Sequence, residues 1–361
     1  MKIKLFIIKV LLSLILITGN SFAKNLPPGS GVADVPANVL ILLDKSGSMS
    51  VRMISGAGFY YPMGVAAHNG KMYAGQAGSY GIKSLDHDTA KPDTSFGTKG
   101  TWRRQSGAHN NCQAYYPTDM IVDNGNLYVF SYYRRIAFRI NLNTNKCDWH
   151  TTSIHHRAMA VANSKIWFVG NSRNITYMDL TRSTVAKSSF SVRGRSGLIN
   201  TYAAAVSASG DYLLTHYNRR AYKTILQANG SPGTTYESNY INSRDRYVFG
   251  LVAHPSDNTI FYAASYYGHQ LLKLTVTAGN TAATTRQAVG SCCRGNWRLF
   301  YPRGVAVDTI NNRAYIASYH GSNILSYDLN LAQVKEFGGS FGTRMSGAHE
   351  AIKAIVTDSS L

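Results

Sequence analysis

A sequence pattern that recurs six times between residues 54 and 343 most strongly constrains the fold. Each copy has an aromatic or His entry, a small anchor residue, an alternating apolar strand, a turn and a second, Tyr-rich strand. The anchors, which follow one another at intervals of 39 to 55 residues, are Gly64, Asp119, Ala158, Ala203, Gly250 and Gly304. A copy of about 48 residues accommodates four short strands, so the pattern predicts a six-bladed β-propeller over 54–343. A β-sandwich whose spacing arises by chance is the alternative.

Dipeptides at the ends of the copies point to one propeller family. Phe96-Gly97 and Phe337-Gly338 end the first and last copies, and Tyr116-Pro117 begins the second. With these features the repeats resemble the NHL family of β-propellers, although glycines and entry prolines are lost in the middle copies. Other classes are excluded, because the chain has no Gly-X-Y period, no heptad run and no second long apolar stretch.

Charge predicts the kind of partner. Lys and Arg number 37 against 18 Asp and Glu, a formal net charge of +19 that attracts anionic polymers. Antiparallel strand order places the blade entries and the turn after each second strand on one face. The binding residues expected on that face are Tyr132, Tyr133, Arg134, Arg135, His216, Tyr217, Arg219, Arg220, Tyr266, Tyr267, His269, Tyr319, His320, Arg157 and Arg303, beside the entry residues Tyr61 and Tyr116. Aromatic rings stack on sugars or bases, and Arg pairs with carboxylate, sulfate or phosphate. The expected partners are therefore an acidic protein surface, an anionic glycan or extracellular nucleic acid, with solvated loops as the alternative.

The first 23 residues have the pattern of a secretory signal peptide. Lys2 and Lys4 precede an apolar run from Leu5 to Ile17, and Ser21-Phe22-Ala23 supplies small residues before a cleavage site. The run is short for a membrane span, so we expect export with no integral span after cleavage; an uncleaved anchor is the alternative. Residues 24–37 are rich in Pro and Gly and are expected to form a linker.

Export permits disulfides among the four cysteines, which allow three pairings. We favour Cys112 with Cys147, because both lie within one repeat, and Cys292 with Cys293, because they are adjacent. Metal binding by these cysteines is disfavoured, since the chain has no C-x-x-C motif.

A candidate metal motif lies in residues 38–53. A run of apolar residues at 39–43, typical of a buried strand, ends in Asp44, Ser46, Gly47, Ser48 and Met49. A carboxylate and two hydroxyls are hard oxygen donors suited to Mg²⁺ or Mn²⁺. The stretch resembles the start of a von Willebrand factor A domain with its metal-ion-dependent adhesion site. The resemblance implies that Asp44, Ser46 and Ser48 bind Mg²⁺ (or Mn²⁺ or Ca²⁺), and that an acidic group of a partner completes the coordination.

Residues 344–361 resemble the first helix of the same domain, displaced along the chain. Met345, Ala348, Ile352 and Ile355 share one face at helical spacing. We therefore expect a mainly β fold, in which the propeller is inserted at the start of an incomplete α/β A domain. The later strands and the Thr and Asp loops of such a domain are not in this sequence, so we expect a truncated reading of a longer protein.

The combination of signal, metal motif and propeller resembles bacterial pilus-tip adhesins of the PilC/PilY type. It implies a secreted protein at the cell surface, in the periplasm or outer membrane, or on a pilus, with pilus subunits among its partners. Those proteins carry the propeller after the A domain rather than within it. We expect cation-dependent adhesion and no enzymatic activity, with no catalytic residue assigned, because no G-x-S-x-G, H-E-x-x-H or P-loop motif is present. A propeller hydrolase or lyase with a site in the channel, and a passive envelope scaffold, remain alternatives.

Overall fold

The structure is a computed structural model that describes residues 52–54, 59–105, 112–170, 174–180, 188–191, 201–245, 247–279, 281–290, 299–338 and 340–343. The ordered elements within these ranges are β-strands, and no α-helix occurs there. No helix of the described residues could span a membrane.

Six four-stranded antiparallel sheets follow one another along the described chain, each built from consecutive strands. The first three sheets are β2 (Pro62–His68), β3 (Lys71–Gln76), β4 (Gly81–Asp86) and β5 (Thr101–Trp102); β6 (Pro117–Asp123), β7 (Asn126–Ser131), β8 (Ile136–Asn141) and β9 (Lys146–Thr151); and β10 (Ala158–Ala162), β11 (Lys165–Val169), β12 (Asn174–Asp179) and β13 (Ser188–Ser191). The last three are β14 (Ala204–Val206), β15 (Tyr212–Tyr217), β16 (Arg220–Leu226) and β17 (Pro232–Glu237); β18 (Val248–Ala253), β19 (Ile260–Ser265), β20 (Gln270–Val276) and β21 (Thr284–Val289); and β22 (Pro302–Asp308), β23 (Arg313–Ser318), β24 (Asn323–Tyr327) and β25 (Gln333–Gly338). The six sheets correspond to the six sequence copies.

The first strands of the sheets contact one another in a closed cycle. β2 contacts β6, β6 contacts β10, and the series continues through β14, β18 and β22 back to β2. Six sheets arranged radially around their first strands form a six-bladed propeller, which confirms the predicted blade number and excludes the sandwich alternative. We number the blades 1 to 6 in chain order.

Apolar clusters between neighbouring blades hold the ring together. The cluster between blades 1 and 2 contains Trp102 and Phe138, whose ring centroids are 5.3 Å apart. Each other pair of neighbours shares a cluster of the same kind, and the pair of blades 6 and 1 buries Phe59, Tyr315 and Phe337. The alternating side chains of each strand therefore supply the cores on both sides of a blade.

Short polar turns connect the strands on the side away from the blade entries. Asn69-Gly70 and Asn124-Gly125 both have positive φ, the conformation of a type I′ hairpin turn. Asp86 ends a third strand, and its Oδ1 accepts the backbone N–H groups of Asp88 and Thr89. The carboxylates that end strands here stabilise turns.

A disulfide within blade 2 links Cys112 and Cys147, the pair that the sequence analysis favoured. Cys112 lies in the segment that enters the blade, and Cys147 lies in its outer strand β9. Both are buried. Cys292 and Cys293 lie outside the described residues.

Two further strands pair with each other at the ends of the propeller segment. β1 (Arg52–Ile54) is antiparallel to β26 (Ser340–Thr343), with Arg52 opposite Thr343. The chain therefore enters and leaves the propeller side by side. The predicted signal, linker, metal loop and helix (residues 1–51 and 344–361) lie outside the described residues, so the α/β part of the expected fold class has no support in the structure.

Candidate functional site

A pocket of about 360 Å³ lies where the six first strands begin. One wall position recurs in every blade, immediately before the anchor residue. These six equivalent residues are Met63, Thr118, Arg157, Tyr202, Phe249 and Arg303. Tyr116, Tyr132, Tyr133 and Tyr319 complete the lining. The pocket, which we call the mouth, is therefore built by all six blades around the propeller axis.

The anchors let the first strands approach closely beneath the mouth. A Cβ atom on Gly304 would lie 2.1 Å from the carbonyl oxygen of Met63 in blade 1. A Cβ on Gly250 would lie 2.2 Å from the carbonyl oxygen of Arg303. Neighbouring backbones occupy the space that a side chain would need, which explains the preference for small anchors.

Asp119 is the exception among the anchors. Its carboxylate Oδ2 accepts the backbone N–H of Met159 in blade 3, at 2.9 Å. The side chain thus bridges the first strands of blades 2 and 3, whereas at Gly250 and Gly304 the backbones of neighbouring first strands approach each other directly. Burial in the surrounding protein raises the pKa of Asp119 to about 7, while the hydrogen bonds from the backbone of Met159 and Met120 oppose the shift.

Arg303 is stacked between aromatic rings of the mouth. Its guanidinium carbon lies 4.5 Å from the ring centroid of Tyr319, 4.8 Å from that of Phe249 and 5.3 Å from that of Tyr266. Its Nε is buried and has no hydrogen-bond partner within the described ranges. Stacking uses the faces of the guanidinium and leaves its N–H edge able to bind an anion.

Arg157 is the second arginine of the mouth. Its guanidinium carbon lies 4.6 Å from the ring centroid of Tyr202, and its backbone N–H donates to the carbonyl of Val169 at 2.8 Å. It holds in blade 3 the position that Arg303 holds in blade 6. Because two blades lie between them on each side of the ring of six, the two arginines stand on opposite sides of the axis.

Aromatic rings form a continuous arc around the mouth from blade 4 to blade 1. The arc runs through Tyr202, Phe249, Tyr266, Tyr301, His320, Tyr319 and Tyr61, with neighbouring ring centroids 4.5 to 5.2 Å apart. On the blade 2 side Tyr116 contacts Tyr133 at 4.3 Å, and Tyr133 is 61 % exposed. The mouth thus offers a ligand both exposed aromatic rings and the cationic side chains of the two arginines.

Three tyrosines at equivalent entries have left-handed backbones. Tyr61, Tyr116 and Tyr301 have φ of 53°, 56° and 52°, and a proline follows each of them. Their carbonyl oxygens accept the N–H groups of Ala77, Tyr132 and Tyr319, which follow the second strands. A non-Gly residue in this region costs about 1–2 kcal/mol, so the surrounding contacts must hold these entries in place.

The structure brings six of the sequence-predicted residues into the mouth: Tyr116, Tyr132, Tyr133, Arg157, Arg303 and Tyr319. Tyr61, Tyr266 and His320 belong to the adjoining arc. His269 also lies beside it, where Nδ1 accepts the backbone N–H of Tyr301. Whether these residues bind a ligand stays a prediction.

The other predicted residues have local partners away from the mouth. Arg134 lies over Tyr115, Arg219 lies over Tyr240, and Arg220 forms an ion pair with Glu237 at 2.9 Å. Arg135 contacts His155. Tyr267 is exposed, contacts Tyr266 of the arc with ring centroids 5.0 Å apart, and lines a second groove with Arg244. Tyr217 packs against the core between blades 3 and 4.

His216 departs from the expectation that it lies on the exposed face. Its side chain is 1 % exposed, and neither ring nitrogen has a hydrogen-bond partner in the described part of the chain. Burial lowers its pKa to about 3, so the imidazole is neutral near pH 7. The sequence placed it at the end of a second strand, but strand alternation turns it into the protein.

Sequence reasoning missed four of the mouth residues, namely Met63, Thr118, Tyr202 and Phe249. The available signal was their position immediately before an anchor. Their chemical types differ from blade to blade, so no shared residue type marks the position.

The two faces of the propeller differ in charge. The described blade entries and the turns after second strands carry nine arginines and no lysine: Arg103, Arg104, Arg134, Arg135, Arg157, Arg219, Arg220, Arg244 and Arg303. The turns on the opposite face carry nine carboxylates, Asp86, Asp88, Asp93, Asp123, Asp179, Asp211, Asp257, Asp308 and Asp328, against six cations, Lys71, Lys91, Lys99, Lys146, Lys165 and Arg313. The mouth therefore opens on the basic face.

The predicted metal donors Asp44, Ser46 and Ser48 lie outside the described residues. Within the described ranges, no group of three or more His, Cys, Asp or Glu side chains could hold a metal ion. The Mg²⁺ expectation therefore rests on the sequence motif alone.

Comparison with solved structures supports the propeller fold. No family pattern matches the chain, and no curated protein matches it. A functionally unknown protein from Desulfotomaculum acetoxidans DSM 771 is 14 % identical, with 75 % of this chain and 81 % of that chain covered and a TM-score of 0.51. The Cps50 (Swd1) β-propeller domain of Myceliophteria thermophila is 12 % identical, with 79 % and 88 % covered and a TM-score of 0.50. At such identities the likeness concerns the propeller fold, and the ligand has to be argued from this chain's own residues.

Proposed function

We propose that this protein is a binding protein whose propeller takes an anionic ligand into the mouth. The observation that carries the proposal is the pair of arginines at equivalent positions of blades 3 and 6, each stacked on aromatic rings. A stacked guanidinium keeps its orientation before the ligand arrives, so little conformational entropy is lost on binding.

The surroundings of the two arginines favour an anion. Of the acidic groups described on this face, Asp245 is buried against Arg286, Glu237 pairs with Arg220, and Asp119 beneath the mouth accepts the backbone N–H of Met159. The pocket volume lies in the range of sites that enclose small ligands. The net charge of +19 adds attraction at long range, which raises the rate of encounter with an anionic partner.

The adhesive, cation-dependent part of the proposal comes from the motif at Asp44, Ser46 and Ser48. The pairing of β1 with β26 supports an inserted propeller, because it places the two ends of the propeller segment side by side. On this proposal an exported, surface-exposed protein combines the anion-binding mouth with an A-domain metal site that holds Mg²⁺. Pilus subunits remain candidate partners.

The first test measures binding of an anionic polysaccharide, polygalacturonate, and of an acidic peptide to the purified chain by titration calorimetry. We expect Arg303→Gln and Arg157→Gln each to weaken binding at least tenfold, because each removes a charge-assisted contact. Arg313→Gln and Lys165→Gln are matched controls, since these residues begin β23 and β11 on the opposite face of the same blades. Equal binding by all five proteins would overturn the proposal.

A second test addresses the metal. Asp44→Ala and chelation with EDTA should both abolish any Mg²⁺-dependent part of the binding and leave the arginine-dependent part intact. Binding that is unchanged in both experiments would remove the metal from the proposal.

The hydrolase or lyase alternative predicts His or carboxylate groups that converge in the channel. Among the described residues the channel offers Asp119 without a cluster of such groups around it. Turnover of a panel of glycans and peptides, lost on Asp119→Asn, would favour that alternative.

A further inference from the structure

We infer that the ligand of the mouth carries two anionic groups at opposite ends of a ring-containing body, the chemistry of a disaccharide of two uronic acids. This inference rests on the proposed function and narrows it. It names a ligand class from the arrangement of charge and ring surface within the pocket.

The first step is the placement of the two cations. Arg157 and Arg303 lie three blades apart at equivalent positions and line one pocket from opposite sides. An anion held by one arginine lies across the axis from the other. A ligand with one charged end therefore satisfies one arginine, whereas a ligand with an anion at each end satisfies both.

The second step is the surface between the cations. Tyr202 and Phe249 occupy the blades that lie between Arg157 and Arg303 on one side of the ring, and their ring centroids are 4.5 Å apart. Met63 and Thr118 hold the corresponding positions on the other side, with Tyr116 and Tyr133 beside them. Flat apolar surface with a few polar groups suits sugar rings, whose C–H faces pack against aromatic rings.

The third step separates this ligand from other anions. A nucleotide also offers a ring, but it concentrates its charge at the phosphate end and leaves one arginine unused. An acidic peptide presents single carboxylates on flexible side chains, and ordering them costs entropy that a pair of sugar rings does not lose.

The experiment titrates the full chain with five probes in calorimetry: digalacturonic acid, galacturonic acid, lactobionic acid, ATP and a tetraglutamate peptide. Lactobionic acid is close to digalacturonic acid in size, but it has one carboxylate, and its single sugar ring is joined to an open-chain polyol. It therefore lacks both the second charge and the second ring. We expect digalacturonic acid to bind at least tenfold more tightly than the other four.

The arginine variants then test the two-ended geometry. Arg157→Gln and Arg303→Gln should each weaken digalacturonic acid binding at least tenfold, whereas lactobionic acid should lose affinity in one variant and keep it in the other. Arg157→Lys and Arg303→Lys retain the charge and should recover part of the affinity. Circular dichroism and the melting temperature show whether each variant is folded, and Arg313→Gln serves as the control.

The outcomes separate this inference from the broader proposal. Arginine-dependent binding of ATP or tetraglutamate in preference to digalacturonic acid would overturn the inference and leave an anion-binding mouth. Equal affinity for digalacturonic and lactobionic acids would do the same. Failure of every probe to bind in an arginine-dependent way would overturn both.

Discussion

At the residue scale, the chemistry of the mouth depends on the residue that stands immediately before the anchor in each blade. Arginine stands before the anchor in blades 3 and 6, and Tyr, Phe, Met or Thr stands there in the other four. The anchors themselves keep the strands close, so the preceding residue is free to vary without disturbing the ring. Variation at this one position is therefore enough to set the chemistry of the pocket.

Asp119 gives a pH-dependent prediction at this scale. Its pKa is about 7 in the folded protein and 3.8 in its ordinary state, so the folded state binds the proton more tightly. The free energy of unfolding should therefore fall as the pH rises from about 4 to 7, and stay at the lower value above 7.

The comparison with Asp119→Asn isolates that contribution. The neutral amide keeps an oxygen that can accept the N–H of Met159 and carries no charge to bury. Relative to the natural protein, we expect the variant to gain up to about 4 kcal/mol between pH 4 and pH 8, measured by urea unfolding. Parallel pH profiles for the two proteins would contradict the prediction.

At the scale of elements, the first strands determine how closely the blades pack. Gly304→Ala should destabilise the protein by about 3 kcal/mol, because the added methyl group would overlap the carbonyl oxygen of Met63. Thermal and urea unfolding measure the loss.

A second glycine supplies the control. Gly125 has φ of 71°, and a Cβ there meets nothing within 4 Å. Gly125→Ala should cost about 1 kcal/mol, since the left-handed backbone is disfavoured but no contact is blocked. Equal losses in the two variants would contradict the prediction that packing between blades sets the preference for glycine at Gly304.

The blades were predictable from the sequence because one rule governs every copy. Anchor residues and alternating apolar strands recur wherever first strands meet, so the spacing of the six anchors along the chain indicates the ring. The pocket was predictable only in part. Arg157 and Arg303 stood out as entry residues, whereas Tyr202 and Phe249 did not, because a pocket wall requires no shared residue type.

The inward orientation of His216 shows a second limit of prediction from the sequence. The sequence places it at the end of a second strand, next to a turn rich in Tyr and Arg. Which side of the strand it occupies depends on the pairing register, which sequence composition does not fix. The same register decides that Arg219 and Arg220 contact Tyr240 and Glu237 rather than the mouth.

At the scale of the whole molecule, β1 and β26 bring the two ends of the propeller segment together. Cysteines introduced as Arg52→Cys and Thr343→Cys should form a disulfide on mild oxidation, because these residues are directly opposed in the antiparallel pair. Peptide mapping by mass spectrometry detects the bond.

The matched control combines Arg52→Cys with Ser340→Cys, which lies out of register with it. Equal cross-linking in both proteins would argue against the observed pairing. A specific bond would support the pairing of the two ends of the propeller segment, which an inserted domain requires.

The closure of the ring also has a mechanical consequence. Each blade is made of consecutive strands, so blade 6 meets blade 1 through side chains and contributes no strand to it. A force that pulls the two flanking segments apart would first unzip β1 from β26, one hydrogen bond at a time. The seam between blades 6 and 1 would then bear the load directly. Under tension the propeller would open at that seam, and the distance between Arg303 in blade 6 and Arg157 in blade 3 would increase.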